Sequence, residues 1–82
     1  METLYLRGSD YASPAALHAA LKRLLDLPDY YGMNADALYD CLSERAQPVN
    51  LWIADPGEGE TADALKKIVR VVAGLGGEVK EL

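Results

Sequence analysis

Three segments of the chain have the apolar spacing that is typical of β-strands. Alternation over residues 3–7 predicts a first strand, which Gly8 ends. Residues 49–54 form an apolar run directly after Pro48 and predict a second strand. Residues 78–82 predict a short last strand at the end of the chain.

Helical spacing fills the segments between these strands. The first helix is predicted to start with Ser13 as its N-cap and to end at Pro28. The second is predicted over residues 34–44, with Asn as its cap, and the third starts at Thr61 and stops at residues 76–77, which are both glycine. The apolar stripes of the first and third helices are Leu17, Leu21, Leu24 and Leu25, and Leu65, Ile68, Val69, Val72 and Leu75.

The order strand, helix, helix, strand, helix, strand predicts the fold class. Strands that are separated by helices favour parallel pairing with right-handed crossovers. We therefore predict an α/β fold in which about three helices pack against a three-stranded parallel sheet. With 82 residues, the chain is expected to form a single domain over residues 1–82.

Composition narrows the setting in which the protein is expected to act. Cys41 is the only cysteine, so no intrachain disulfide can form and nothing indicates an oxidising compartment. The first residues lack the basic and apolar regions of a signal peptide, and no apolar stretch is long enough to span a bilayer. We expect a cytoplasmic protein that has no contact with a membrane.

Charge is distributed unevenly along the chain, whose formal net charge is −5. Residues 26–60 contain eight acidic residues and one basic residue, Arg45, a net of −7, whereas the remainder has five acidic and seven basic residues, a net of +2. Direct binding to nucleic acid is not expected, because phosphates would be repelled. A basic protein partner is compatible with this polarity, and so is an acidic surface that serves only solubility.

The second predicted helix concentrates this charge on one face. Asp36, Asp40 and Glu44 follow each other at intervals of four residues, so each lies one turn from the next. Like charges at this spacing repel, and Asp is a poor helix former beyond the first turn. A face that breaks local rules in this way is where function is expected, although a solvated acidic face remains an alternative. Leu38, Leu42 and Cys41 are expected on the buried side, and Tyr39 and Ser43 beside the acidic stripe.

The segment LPDYYGMNADALYDCL, residues 27–42, resembles the signature of barstar, the family of intracellular inhibitors of barnase-type ribonucleases. The resemblance implies a barstar-like fold and a one-to-one complex with a basic ribonuclease, whose active site is blocked by an acidic helix that mimics RNA phosphates. It also implies a protein that is monomeric when free and needs no cofactor. Val71 stands where the family has an acidic residue on its last helix, Tyr39 replaces a tryptophan, and the family's short third helix is expected to be missing. The partner-binding residues that we predict are Tyr30, Gly32, Asn34, Asp36, Tyr39, Asp40, Ser43 and Glu44.

Two other functions remain open from the sequence. Asp36 and Asp40 could form a catalytic carboxylate pair, or Cys41 and His18 a nucleophile and its base, although no phosphate-binding loop or metal-ligand cluster is evident. Cys41 is expected to be a core residue, and His18 a partly exposed helix residue. The acidic stripe would equally suit an interaction module for a basic protein that is not a nuclease. Tyr31 is expected in the core.

Overall fold

A computed structural model of the chain describes residues 2–82. The three strands form one parallel sheet, in which they lie side by side in chain order, and the three helices follow the predicted order, so the predicted α/β fold is confirmed. A short 3-10 turn at Gly8–Asp10 follows the first strand. The elements are β1 (Glu2–Arg7), α1 (Pro14–Leu24), α2 (Ala35–Ser43), β2 (Val49–Asp55), α3 (Gly59–Gly74) and β3 (Val79–Glu81).

The core lies between one face of the sheet and the helices. Successive side chains of a strand point to opposite faces, and in β1 and β2 it is every second residue that is buried. On the other face Tyr5 is 67% exposed, and Trp52 lies beside it on β2 beneath the Lys80 ammonium group, which is 4.8 Å from the ring centroid. The core side chains from the sheet and helices are Leu4, Leu6, Val49, Leu51 and Ile53, and Leu17, Leu21, Leu38, Leu42, Leu65, Ile68 and Val72.

The first helix ends earlier than Pro28, where the sequence predicted its end. Its last residue is Leu24, and the N–H of Leu27 donates to the Lys22 carbonyl at 2.9 Å. Asp26 lies between them with a φ of 51°, in the left-handed region. This arrangement is a Schellman-type helix end, in which a left-handed residue lets the chain satisfy the last carbonyls and turn away. The stop is therefore set by the turn at Asp26, before the proline is reached.

The prediction that Thr61 caps the third helix is wrong. α3 begins at Gly59 with Glu58 as its N-cap, so Thr61 lies inside the first turn of the helix. Its side chain is buried, and its hydroxyl donates to the Tyr11 carbonyl at 3.3 Å, which ties α3 to the segment before α1. The end of α3 is as predicted: Gly76 has a φ of 92°, a conformation that glycine adopts without strain.

Candidate functional site

The loop between α1 and α2 is fixed at two buried points, and this leaves Tyr30 outside. Leu27 is 7% exposed and Tyr31 is 5% exposed, and both belong to the core, as predicted for Tyr31. The N–H of Tyr31 also donates to the Pro28 carbonyl at 2.9 Å. Tyr30 lies between these anchors with 82% of its surface exposed. A rigid ring with a polar tip, presented to solvent on a fixed loop, is suited to protein contact.

The end of the loop and the start of α2 are connected through Asn34. Its Oδ1 accepts from the Ala37 N–H at 2.8 Å, and its Nδ2 donates to the Gly32 carbonyl at 3.1 Å. The predicted cap is therefore confirmed, and the same side chain also holds the loop against the helix. Met33, directly before the cap, has a φ of 60°, which is uncommon for a residue other than glycine.

The two sides of α2 are as different as the sequence predicted. Leu38 and Leu42 point into the core, with exposures of 1% and 7%. Cys41, which we expected to be buried, is only half-buried at the edge of the core. The hydroxyl of Ser43 donates to the Asp40 backbone carbonyl at 2.9 Å. The exposed side chains of this helix and its C-cap are Asp36, Tyr39, Asp40, Ser43 and Glu44.

None of the carboxylates on this face is paired with a basic side chain of residues 2–82. Within residues 2–82, Asp36, Asp40 and Glu44 form no salt bridge. Arg45, the single base of the acidic segment, turns toward β1, where its Nη1 lies 2.9 Å from a Glu2 carboxylate oxygen. Its Nη2 donates to the Leu25 carbonyl. Arg45 therefore does not form an ion pair with the acidic face.

His18 and Tyr31 form a buried polar pair beneath the loop, and the expectation of a partly exposed His18 is wrong. Only 4% of His18 is exposed, and its Nδ1 lies 2.6 Å from the Tyr31 hydroxyl oxygen. Burial lowers the pKa of His18, whereas the pKa of Tyr31 is raised to about 12 by burial and, to a lesser extent, by nearby Cys41. Burial therefore favours the uncharged form of each group.

The geometry does not form the pair of Cys41 and His18 that the sequence left open as a nucleophile and its base. The described hydrogen-bond partner of the His18 ring is Tyr31 and not Cys41, so the nucleophile–base pair is not formed. Residues 2–82 contain no group of three or more His, Cys, Asp or Glu side chains that is placed to hold a metal ion. In the same part of the chain, none of the helices has the length and apolar content needed to cross a membrane.

Sequence reasoning did not identify His18 as a residue that supports the loop between α1 and α2. The signal that was available is its position beside the α1 stripe, three residues before Leu21, which places it next to the core. Its partner is 13 residues away and on another element, so local spacing could not identify it. The predicted site residues of α2 share its exposed face, with the predicted loop residues before the helix and Glu44 at its C-cap.

Comparison with known proteins identifies a matching family and a similar protein. The family model described as Barstar (barnase inhibitor) matches residues 1–80. A protein of Bacillus subtilis (strain 168) named "Putative ribonuclease inhibitor YrdF" is 49% identical over 43 residues. That alignment covers 52% of this chain and 47% of the relative, so the match spans about half the length of each.

Proposed function

This chain belongs to the barstar family, and on that premise we propose that it inhibits a barnase-type ribonuclease by covering the enzyme's active site with the exposed face of α2. The observation that carries this proposal is the row of unpaired carboxylates on that face. A ribonuclease must bind RNA phosphates, so its cleft is basic, and it attracts a surface that presents negative charge in a fixed arrangement. The name of the Bacillus relative is consistent with the same class of partner.

The carboxylates are suited to act as phosphate mimics. Four residues of helix span about 6 Å, so Asp36 and Asp40 present their charges as two separate points along the axis of α2. Because no described side chain pairs with either, both are available to arginine, lysine or histidine side chains of a partner. The inhibitor then acts by occupying the cleft, with no bond made or broken and no cofactor.

The remaining predicted residues complete the proposed contact surface. Tyr30 on the loop and Tyr39 on α2 supply exposed rings, and aromatic side chains are effective interface anchors. Gly32 is exposed, and the side chain of Asn34 is engaged in the cap, so we propose that these two contribute mainly backbone surface and loop shape. Ser43 and Glu44 extend the surface to the C-terminal end of the helix.

A titration of ribonuclease activity tests the proposal. RNA cleavage by barnase should fall linearly as the protein is added and should be abolished near one molecule per enzyme. The Asp36→Asn, Asp40→Asn double variant should inhibit much more weakly, and Glu81→Gln, which removes a charge from β3 instead, should inhibit like the parent. Full activity of the enzyme at micromolar concentrations of folded protein would reject this class of target. Capture of a basic non-nuclease partner from the source cell would then favour an interaction module.

A further inference from the structure

The buried pair of His18 and Tyr31 links the proposed binding loop to α1. The 2.6 Å contact between His18 Nδ1 and the Tyr31 hydroxyl is short, and the same hydroxyl lies 3.5 Å from the Asn34 carbonyl. Since the nearer acceptor is the stronger, the tyrosine proton is assigned to the histidine, which makes Nδ1 the acceptor of a neutral ring. The phenol thus joins the loop to α1, with its oxygen beside the residue that caps α2.

Other contacts hold the loop less firmly to α1. Lys22 and Asp29 form a salt bridge with an N–O distance of 3.7 Å, but the Asp29 side chain is fully exposed, and such pairs contribute little. The bond from Tyr31 N–H to the Pro28 carbonyl lies within the loop itself. Burial makes the His18 bond the costlier one to break, because the buried His18 ring has no other hydrogen-bond partner among the described residues.

The loop has a conformation that must be imposed by its surroundings. Met33 has a φ of 60°, and for a side chain with a Cβ this region is unfavourable. Tyr30 is free of core contacts and takes its direction from Tyr31, its neighbour in the chain. A hydrogen bond that fixes Tyr31 therefore also limits the positions of Tyr30 and of the first turn of α2.

We propose that His18 is a positioning residue that pre-forms the binding surface: by holding the Tyr31 hydroxyl, it orders residues 30–34 before the partner arrives. The proposal rests on the proposed inhibitor function for its effect on affinity. An ordered loop avoids the loss of conformational entropy on binding, and a protein whose competent state is only partly populated binds more weakly in proportion. A groove of about 360 Å³ lies beside His18, and the charged side chains that line it are Glu60, Asp63 and Lys67 of α3.

Single-atom and isosteric variants test this role. Tyr31→Phe keeps the ring in the core and removes only the hydroxyl. His18→Leu removes the polar partner, whereas His18→Asn keeps an oxygen where Nδ1 was and should restore the bond. Leu4→Val serves as the control, because it lowers stability through the core from β1, outside the loop.

Two measurements distinguish positioning from general stability. Hydrogen exchange of the Tyr31 and Ala37 amides, in the free protein, should be roughly tenfold faster in Tyr31→Phe and His18→Leu, which corresponds to the loss of one hydrogen bond. In His18→Asn and Leu4→Val, these amides should exchange at rates close to those of the parent. Affinity for barnase should fall by a similar factor in Tyr31→Phe and His18→Leu, mainly through slower association, and should not fall in the other two variants.

The outcomes separate this inference from the proposed function. Unchanged exchange of the loop amides in Tyr31→Phe would overturn the positioning role, whatever the affinity. Faster exchange with unchanged affinity would also overturn it, because the loop order would then have no consequence for binding. If the parent itself fails to bind barnase, the proposed target is rejected, and the ordering of the loop by His18 is decided by hydrogen exchange in the free protein.

Discussion

Replacing Asp40 by alanine should have opposite effects on the free protein and on its complex. Asp40 is exposed on α2, one turn from Asp36 and one turn from Glu44, and no described residue pairs with its carboxylate. Its removal relieves two repulsions of about 0.2–0.5 kcal/mol each and introduces the best helix former, so the free energy of unfolding should rise by roughly 0.5–1.5 kcal/mol.

In the complex the same change should be costly. Asp40 would meet a cationic side chain of the enzyme, and removing it would leave that charge buried without its partner. Truncations of this kind cost roughly 2–5 kcal/mol, a range to which complexes of the barstar family have contributed, and this corresponds to about 30- to 4,000-fold weaker binding.

The assay is urea unfolding together with binding to barnase, for Asp40→Ala and for two further variants. Leu38→Ala should lose about 2–5 kcal/mol of stability, because it empties core volume, yet its folded fraction should bind like the parent. Glu81→Ala removes a charge from the edge strand and should change binding little. If Asp40→Ala unfolds more easily than the parent and still inhibits fully, Asp40 is a structural residue and the proposed face is wrong.

Three other predictions follow from charge and burial. Association with barnase should slow markedly as salt rises, since the screening length shrinks to about 3 Å at 1 M; stopped-flow rates that do not depend on salt would contradict phosphate mimicry. Val71→Glu should tighten binding, as Val71 is half-buried on α3 and a carboxylate there can still reach water; an unchanged dissociation constant would argue against an acidic contact at this position. Burial lowers the pKa of His18, so its neutral form stabilises the fold fully above about pH 6.5, and this contribution is lost as pH falls through the lowered folded value. Urea unfolding at a series of pH values should therefore show a larger loss on acidification in the parent than in His18→Asn, and parallel losses would contradict it.

Much of the fold could be predicted because its signals are local. Parallel pairing of the strands followed from the alternation of strands and helices, and the inward face of α2 followed from the spacing of Leu38 and Leu42. The Asn34 cap was predicted for the same reason, because a cap needs only the residues of the next turn. Features that depend on one turn of chain can be inferred without knowledge of what packs against them.

The errors concern groups whose partners lie elsewhere in the chain. Thr61 is a good capping residue by type, but its hydroxyl is used by the Tyr11 carbonyl, 50 residues away. His18 was expected to be partly exposed. It is buried because it meets Tyr31, which lies outside α1, and spacing within α1 could not indicate that contact. The α1 end was misplaced for a different reason: Asp26 adopts a left-handed conformation, for which the sequence has no glycine to indicate it.

The charge of the candidate site depends on where the Arg45 side chain points as well as on the acidic residues. A sequence can show that residues 26–60 contain a single base, but not whether that base neutralises the acidic helix. In the structure Arg45 instead joins β1 to the end of α1 through Glu2 and the Leu25 carbonyl. The acidic helix is only nine residues long, a length at which isolated helices are marginal even without internal repulsion. Its charged face can therefore persist only because Leu38 and Leu42 hold the other side in the core, so the burial of those leucines is what makes an unpaired acidic surface possible.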